Sequence, residues 1–312
     1  MRLPQELSDA IQAEVEKIEW RRLVQAAARL SESYKTGDFS SPAITNEAQR
    51  AAYLAVRLPA IYAACLRVFS EIQQLAPQAE ITSILDLGAG PGTALFAASE
   101  IFPALQQAQL IESDDRWLAL GRNLAQASRL EAVRRAEWHK QDLRSGFTCE
   151  PHDLVVISYA LGELAPAAAE AVIRKAWTCT RQFLVVMEPG TPRGFMVMNA
   201  ARSVLIASGA AILAPCPHKA ACPMAAAGDW CHFSQRIERS SQHRQLKGGT
   251  LGYEDEKFSY VVASRQDVAA GGGRVVRHPG KRSGHIQLVL CTSEGQIENK
   301  TITRSSGQTY KL

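Results

Sequence analysis

The chain has 312 residues, of which 46% are hydrophobic and 21% charged, and its formal net charge is +4. This balance is typical of a globular protein with one sizeable core plus an extension or insertion. The mildly basic charge permits a nucleic-acid partner without requiring one. The sequence has no apolar run of the roughly 18 residues that a membrane helix needs, and its N-terminus resembles neither a secretory signal nor a transit peptide. We therefore expect a cytoplasmic protein with no membrane partner.

The beginning of the chain, residues 1–78, is predicted to be helical. Apolar residues recur there at helical spacing in two segments that a polar loop separates, and Pro77 closes the region. We interpret 1–78 as an N-terminal helical region and 79–312 as the main domain.

Strand and helix patterns alternate after the helical region. The predicted strands are 82–87, 108–112, 138–142, 152–158 and 183–188, and the predicted helices are 93–101, 115–129, 165–179 and 193–209. Such alternation favours a doubly wound, mostly parallel sheet with helices on both faces.

The periodic pattern breaks over residues 210–256, which carry Pro, Cys, His and Gly without a clear period. A stretch of that length without regular structure is uncommon in a compact domain unless something orders it, so we interpret it as an insertion. Residues 257–264 and 285–291 return to strand character and suit the antiparallel closing pair of a methyltransferase-like sheet. The glycine-rich segment 271–274 is predicted to be a turn or loop.

The segment ILDLGAGPGTALFAAS, residues 84–99, carries the clearest cofactor motif. Asp86 ends a buried strand, and Gly88, Gly90 and Gly92 follow in a tight turn before a helix. Glycine suits such a turn because it adopts unusual dihedral angles and lets a ligand approach the backbone. The pattern resembles motif I of class I S-adenosylmethionine methyltransferases, although a turn that only joins strand to helix is the alternative.

Polar residues follow three further predicted strands. Glu112 ends the second strand, where a carboxylate is expected to accept hydrogen bonds from both ribose hydroxyls. Asp142 matches the position beside the adenine in the methyltransferases, or is a surface carboxylate. Ser158 and Tyr159 end the fourth strand and are expected to face the crevice, with a packing role as the alternative for Tyr159.

Cysteines with wide spacing form the second strong pattern. Cys216, Cys222 and Cys231 follow one another within 214–240, and Cys291 lies at the end of a later predicted strand. Four thiolates from a loop and a distant strand could close a tetrahedral metal site and order the insertion. Reduced, unligated cysteines are the alternative.

Zinc and a [4Fe–4S] cluster both accept four thiolates. Structural zinc sites usually have shorter spacings between cysteines, so the wide spacing favours the cluster. His218 and His232 are alternative ligands if the metal is zinc. The remaining cysteines are expected to be ordinary thiols rather than a disulfide framework: Cys65, Cys149 and Cys179.

Several motifs together resemble one family, the small-ribosomal-subunit-associated methyltransferase-like proteins of bacteria and of the mitochondrial ribosome. They are LDLGAGPGTA, SYALGEL, EPGTPRGF, APCPH, DWCHF and a late cysteine, and the resemblance covers nearly the whole chain. It implies a class I methyltransferase fold that binds S-adenosylmethionine. It also implies a [4Fe–4S] cluster held by the four cysteines at 216, 222, 231 and 291, and association with small-subunit ribosomal RNA during assembly.

The fold predicted from all of this is α/β: a class I S-adenosylmethionine methyltransferase (Rossmann-like) sheet with an N-terminal helical extension and a Cys-rich metal-binding insertion. The catalytic residues stay unassigned. The chain has SYALGE at 158–163, where base-amino methyltransferases carry Asn/Asp-Pro-Pro-Tyr and pyrimidine C5 enzymes carry a cysteine. Glu163 is a candidate base or an ordinary helix-start carboxylate. An RNA methyltransferase and an assembly factor without methyl transfer both remain open.

Contact with RNA phosphates is expected from basic residues that follow the cysteine motif and from a later run free of acidic residues. A solvated loop is the alternative for that run. The candidates are Arg236, Arg239, Arg274, Arg277, Lys281 and Arg282.

Overall fold

The computed structural model describes residues 1–36, 44–267 and 272–303. The helices in these ranges are α1 Gln5–Glu16, α2 Trp20–Thr36, α3 Glu47–Val56, α4 Leu58–Leu75, α5 Thr93–Ile101, α6 Asp115–Gln126, α7 Glu131–Arg134, α8 Pro166–Thr178, α9 Pro192–Ala207, α10 Pro223–Ala226 and α11 Ser241–Leu246. The strands are β1 Ser83–Leu87, β2 Gln107–Glu112, β3 Glu137–Lys140, β4 His152–Ser158, β5 Thr180–Pro189, β6 Ala211–Ala214, β7 Phe233–Glu238, β8 Tyr253–Ser264, β9 Gly273–Val275, β10 Gly280–Arg282, β11 His285–Thr292 and β12 Ile297–Thr303.

The main sheet has the strand order β3-β2-β1-β4-β5-β8-β6, with β7 paired to the first half of β8. Strands β1 to β5 are parallel, whereas β8 runs antiparallel to both β5 and β6. This order, with one antiparallel strand near the edge, is that of the class I methyltransferase sheet. The order reverses between β1 and β4, which places a ligand crevice at the carboxyl ends of these strands.

Two layers cover the sheet because strand side chains alternate between its faces. Ile84 of β1 joins the apolar layer that includes α1 to α5, and Leu85 joins the opposite layer with α8 and α9. All five residues of β1 are buried, as expected for a central parallel strand.

The closing pair of the sheet differs from the expected one. β8 does pair with β5, but its other partners are β6 and β7 and not the strand at 285–291. That strand is β11, which pairs with β9, β10 and β12 in a separate antiparallel sheet. Short connections from β10 to β11 and from β11 to β12 favour this local pairing over a distant edge.

The segment 210–256 is more regular than its sequence suggested. It contains β6, α10, β7, α11 and the first residues of β8. The glycine-rich segment also differs from the expected loop, because Gly273 and Arg274 begin β9. Both were missed because these elements are short and partly exposed, so their apolar periodicity is weak.

The N-terminal helices pack directly on the main domain. Asn46 and Gln49 form a capping box at the start of α3. Helix α4 contacts α5, β7 and β8, so the helices share one apolar layer with the sheet. Within the described ranges, no single helix is long and apolar enough to cross a bilayer. Helices α3 and α4 meet at a bend of 44°, and only when they are taken together do they meet the criteria of length and composition.

Candidate cofactor crevice and cysteine cavity

The glycine loop after β1 has the conformation that its sequence predicted. Gly88, Gly90 and Gly92 have φ values of +72°, +53° and +82°, which favour glycine. A side chain at Gly88 would meet Ala160 Cβ at 2.7 Å, whereas no heavy atom lies within 4 Å of the equivalent position at Gly90. The loop is therefore packed at its start and open at its centre.

Asp86 lies beneath this loop with only 1% of its surface exposed. Neither of its carboxylate oxygens has a hydrogen-bond partner among the described residues. Burial, and to a smaller extent the charge of Glu112, raises the pKa of Asp86 to about 7. Burying a carboxylate without hydrogen-bond donors is energetically unfavourable, so a cationic or hydrogen-bonding ligand at this position would stabilise it.

Glu112 at the end of β2 is held by backbone amides. Its Oε2 accepts a hydrogen bond from Gly90 N at 2.9 Å, and its Oε1 accepts from Ser113 N at 2.7 Å and Asp114 N at 3.0 Å. The carboxylate is thus fixed beside the glycine loop. Oε1 also accepts from the Ser113 hydroxyl at 3.3 Å, whereas Oε2 accepts only the Gly90 amide among the described residues, so Oε2 can still accept a bond from a ribose hydroxyl.

Tyr159 follows β4 in a left-handed conformation with φ +57°, which is uncommon for a residue other than glycine. Its hydroxyl donates to Glu256 Oε1 at 3.1 Å, and Arg57 binds both oxygens of the same carboxylate. The hydroxyl is therefore engaged inside the protein. Ser158, half-buried at the strand end, lies next to it at the crevice.

Two more carboxylates lie at the same edge of the sheet. Glu188 at the end of β5 is buried, and it accepts a hydrogen bond from Gly162 N at 3.1 Å; burial raises its pKa to about 8. Asp142, by contrast, is paired with Arg144 through two oxygens on the exposed loop after β3. The structure thus places Asp86 and Glu112 together at the glycine loop and Glu188 two strands away at the end of β5, and it places Asp142 at the periphery.

The four cysteines of the second motif line one cavity. Cys216, Cys222, Cys231 and Cys291 share it with His218, whose Nε2 lies 3.2 Å from Cys291 Sγ. In the described part of the chain, no three His, Cys, Asp or Glu side chains are close enough to hold one metal ion. The metal-binding role predicted for this insertion therefore stays a prediction.

Two arginines accompany the cysteines in this cavity. Arg202 of α9 is 2% exposed, and Arg274 of β9 is bonded to Glu71 and Tyr260. Burial raises the pKa of Cys216, and the neighbouring Arg202 opposes that rise. Burial likewise raises the pKa of Cys291 to about 11. The cavity thus places partly and fully buried thiols beside one buried and one half-buried cation.

The cysteines at 149 and 179, which were expected to be separate thiols, form a disulfide. The loop before β4 lies beside the end of α8, and this places the two Cα atoms 6.5 Å apart. Cys65 is a free, buried thiol as expected.

Residues 47–312 match the family model described as mitochondrial small ribosomal subunit Rsm22. The chain belongs to this Rsm22 family. Its relatives include the human mitochondrial ribosome assembly protein METTL17, which is 27% identical over 80% of this chain and 57% of its own length. The Rsm22-cox11 tandem protein 2 of Schizosaccharomyces pombe is 23% identical over 84% of this chain and 41% of its length. The chain thus spans about half the length of these relatives.

A solved structure with a similar fold is the magnesium protoporphyrin IX methyltransferase of Synechocystis PCC 6803. It is 13% identical, with 66% of this chain and 80% of that chain covered and a TM-score of 0.45. The fold of this Rsm22-family chain is assigned from its strand order and not from that likeness.

The basic residues predicted to contact RNA fall into two groups. Arg239 and Arg274 are largely buried in ion pairs with Glu254 and Glu71, so they stabilise the protein itself. Arg236 and Arg277 are more exposed, but each is paired with an aspartate, Asp255 or Asp229. Lys281 and Arg282 are exposed on β10. The contact with RNA stays a prediction, and these two residues are best placed for it.

Sequence reasoning missed several buried polar residues of this Rsm22-family chain. Arg57 and Glu256 were not singled out, because an ion pair between residues 199 apart leaves no local pattern. Arg202 had one usable signal in the sequence, since it is the single charged residue in the mostly apolar stretch 195–207. A lone charge on an otherwise apolar face predicts a buried partner or a ligand.

Proposed function

We propose that this Rsm22-family chain binds S-adenosylmethionine at the carboxyl ends of β1, β2 and β4 and acts on the small ribosomal subunit during its assembly. The human relative is named a ribosome assembly protein, which supports the second part. Small-subunit ribosomal RNA is the partner that we propose.

The observation that carries the cofactor proposal is the unpartnered carboxylate of Asp86 below the glycine loop. S-adenosylmethionine carries an ammonium and a sulfonium, so an edge rich in carboxylates favours it electrostatically. Glu112 is fixed where it can accept bonds from ribose hydroxyls, and the open space at Gly90 leaves room for a ligand beside the backbone. Asp142 is the weakest of the proposed contacts because Arg144 already holds it.

Calorimetric titration with S-adenosylmethionine tests the cofactor proposal. Gly90→Val places a side chain in the open part of the loop, and we expect at least about a tenfold loss of affinity, or about 1.4 kcal/mol. Gly209→Val is the matched control, because Gly209 also has a positive φ (+82°) and open space around it but lies after α9. Equal affinity in both variants would refute the proposed crevice.

We further propose a [4Fe–4S] cluster bound by Cys216, Cys222, Cys231 and Cys291, with structural zinc as the alternative. Four thiols around one cavity provide the ligand type that both centres need, and their wide spacing in the sequence favours the cluster. When bound, the cluster would supply a structural cross-link between the 216–231 segment and β11. Anaerobic purification should give about four iron and four sulfide per chain; one zinc and no iron would reject the cluster.

A role as an assembly factor without methyl transfer is the second function that we propose. The hydroxyl of Tyr159, which follows β4, is engaged by Glu256 and so is not free to act as a base, which leaves Glu163 as the remaining candidate. Mapping of ribosomal RNA methylation in cells that carry Gly90→Val distinguishes the two functions. Loss of one methyl mark supports the enzyme, whereas defective subunit assembly with all marks intact supports the assembly factor.

A further inference from the structure

Arg202 is a buried cation without an anionic partner among the described residues. Only 2% of its surface is exposed, and no carboxylate in the described part of the chain forms an ion pair with it. One nitrogen, Nη2, donates to His218 O at 2.7 Å and to Ala220 O at 3.0 Å. Neutral carbonyls do not balance a full charge in a medium of low polarity.

The Nε–H of Arg202 has no hydrogen-bond acceptor in the described residues, although it is fully buried. The side chain lines the same cavity as the four cysteines. A buried donor without an acceptor is unfavourable, and so is a buried charge without a counter-ion, so both observations point to an anion in this cavity.

The second arginine of the cavity provides a contrast. Arg274 forms an ion pair with Glu71 and a hydrogen bond with Tyr260 at 3.0 Å, so its charge is balanced within the protein. Arg202 differs from Arg274 because, in the described residues, it has no anionic partner and no acceptor for its Nε–H.

We propose that Arg202 is the buried counter-cation of an anionic thiolate centre in this cavity and donates its free Nε–H to one of the sulfurs. The inference rests on the proposed metal site but not on the identity of the metal. Four thiolates outweigh the charge of Zn²⁺ and of an oxidised [4Fe–4S] core alike, so either centre is an anion. The two carbonyl bonds of Arg202 also hold the backbone between Cys216 and Cys222.

The inference is tested with anaerobically reconstituted full-length protein. Arg202→Gln removes the charge, Arg202→Lys keeps the charge but removes the planar set of donors, and Arg174→Gln removes an exposed arginine of α8 as a control. We expect release of metal to a chelator to become about 10–100-fold faster in Arg202→Gln, and to be unchanged in Arg174→Gln.

Measuring the reduction potential of an iron–sulfur centre distinguishes an electrostatic role of Arg202 from a purely structural role. Loss of a nearby cation disfavours the extra electron, so we expect a lower potential in Arg202→Gln and a potential close to that of the wild type in Arg202→Lys. If Arg202→Gln does not fold, Arg202→Lys tests the proposal instead. This variant should release metal faster than the wild type, while its reduction potential should stay similar to that of the wild type.

The outcomes are distinguishable. Wild-type protein that takes up neither iron nor zinc would refute both the metal site and the role of Arg202. Wild-type protein that loads zinc would refute only the cluster, and chelator release would then decide the role of Arg202. Metal uptake by the wild type, with the same release rate in all variants, would overturn the role of Arg202 alone.

Discussion

Arg57 and Glu256 form a buried ion pair in which two guanidinium nitrogens donate to the two carboxylate oxygens at 3.1 and 3.0 Å. The pair joins the residue just before α4 to β8, and Glu256 also accepts the hydroxyl of Tyr159. One carboxylate thus connects the N-terminal helices, the antiparallel strand and the turn after β4. The geometry of the crevice therefore depends on a contact between distant parts of the chain.

Glu256→Gln should destabilise the protein strongly, because it leaves the Arg57 charge buried without its anion. We expect a loss of about 3–5 kcal/mol in the free energy of unfolding, measured by urea denaturation. The neighbouring Asp255→Asn is the matched control, since it breaks an exposed pair with Arg236 and should cost less than about 1 kcal/mol. Equal losses in the two variants would contradict the importance of the buried pair.

Asp86 should make stability depend on pH. Its pKa is raised from 3.8 to about 7, so between these values the folded state holds a proton that the unfolded state has released. The stability that this proton contributes is therefore lost as pH rises toward about 7, and the dependence levels off above it. Urea denaturation from about pH 5 to about pH 8 should show this decline in the wild type relative to Asp86→Asn. Parallel curves would exclude a raised pKa for Asp86.

The disulfide between Cys149 and Cys179 predicts the number of reactive thiols. Metal-free protein that is denatured without reductant should give five alkylated cysteines by mass spectrometry, and reductant should expose the other two. Cys149→Ser should lower the free energy of unfolding of oxidised protein by roughly 2–4 kcal/mol, because the unfolded chain loses a cross-link. Seven alkylated cysteines without reductant would show that the bond does not form.

Lys281 and Arg282 should contribute to binding of small-subunit ribosomal RNA through phosphates. Replacing both with Gln should weaken binding and reduce the slope of log affinity against log salt by about 2. Arg236→Gln is the control, because Asp255 already pairs with Arg236 and a smaller change is expected. A salt slope that is the same in the double variant and the wild type would exclude these residues from the RNA contact.

Several elements of this protein are encoded in local patterns of its sequence. The buried run before Asp86, the three glycines and the later strand–helix alternation follow from periodicity and from the dihedral angles that glycine alone adopts freely. These patterns predicted strands β1 to β5 and the crevice. The family was predicted from the motif set that includes APCPH and DWCHF, and the matched model over 47–312 confirms it.

Which distant residues meet became clear from the three-dimensional fold. It paired β8 with β6 instead of β11, joined Cys149 to Cys179, and placed Arg239 and Arg274 in internal ion pairs although their sequence context indicated free cations. It also placed Arg202 beside the cysteines. Burial and charge pairing between residues far apart depend on how the chain packs, and packing is a property of the whole fold that no local window of sequence contains.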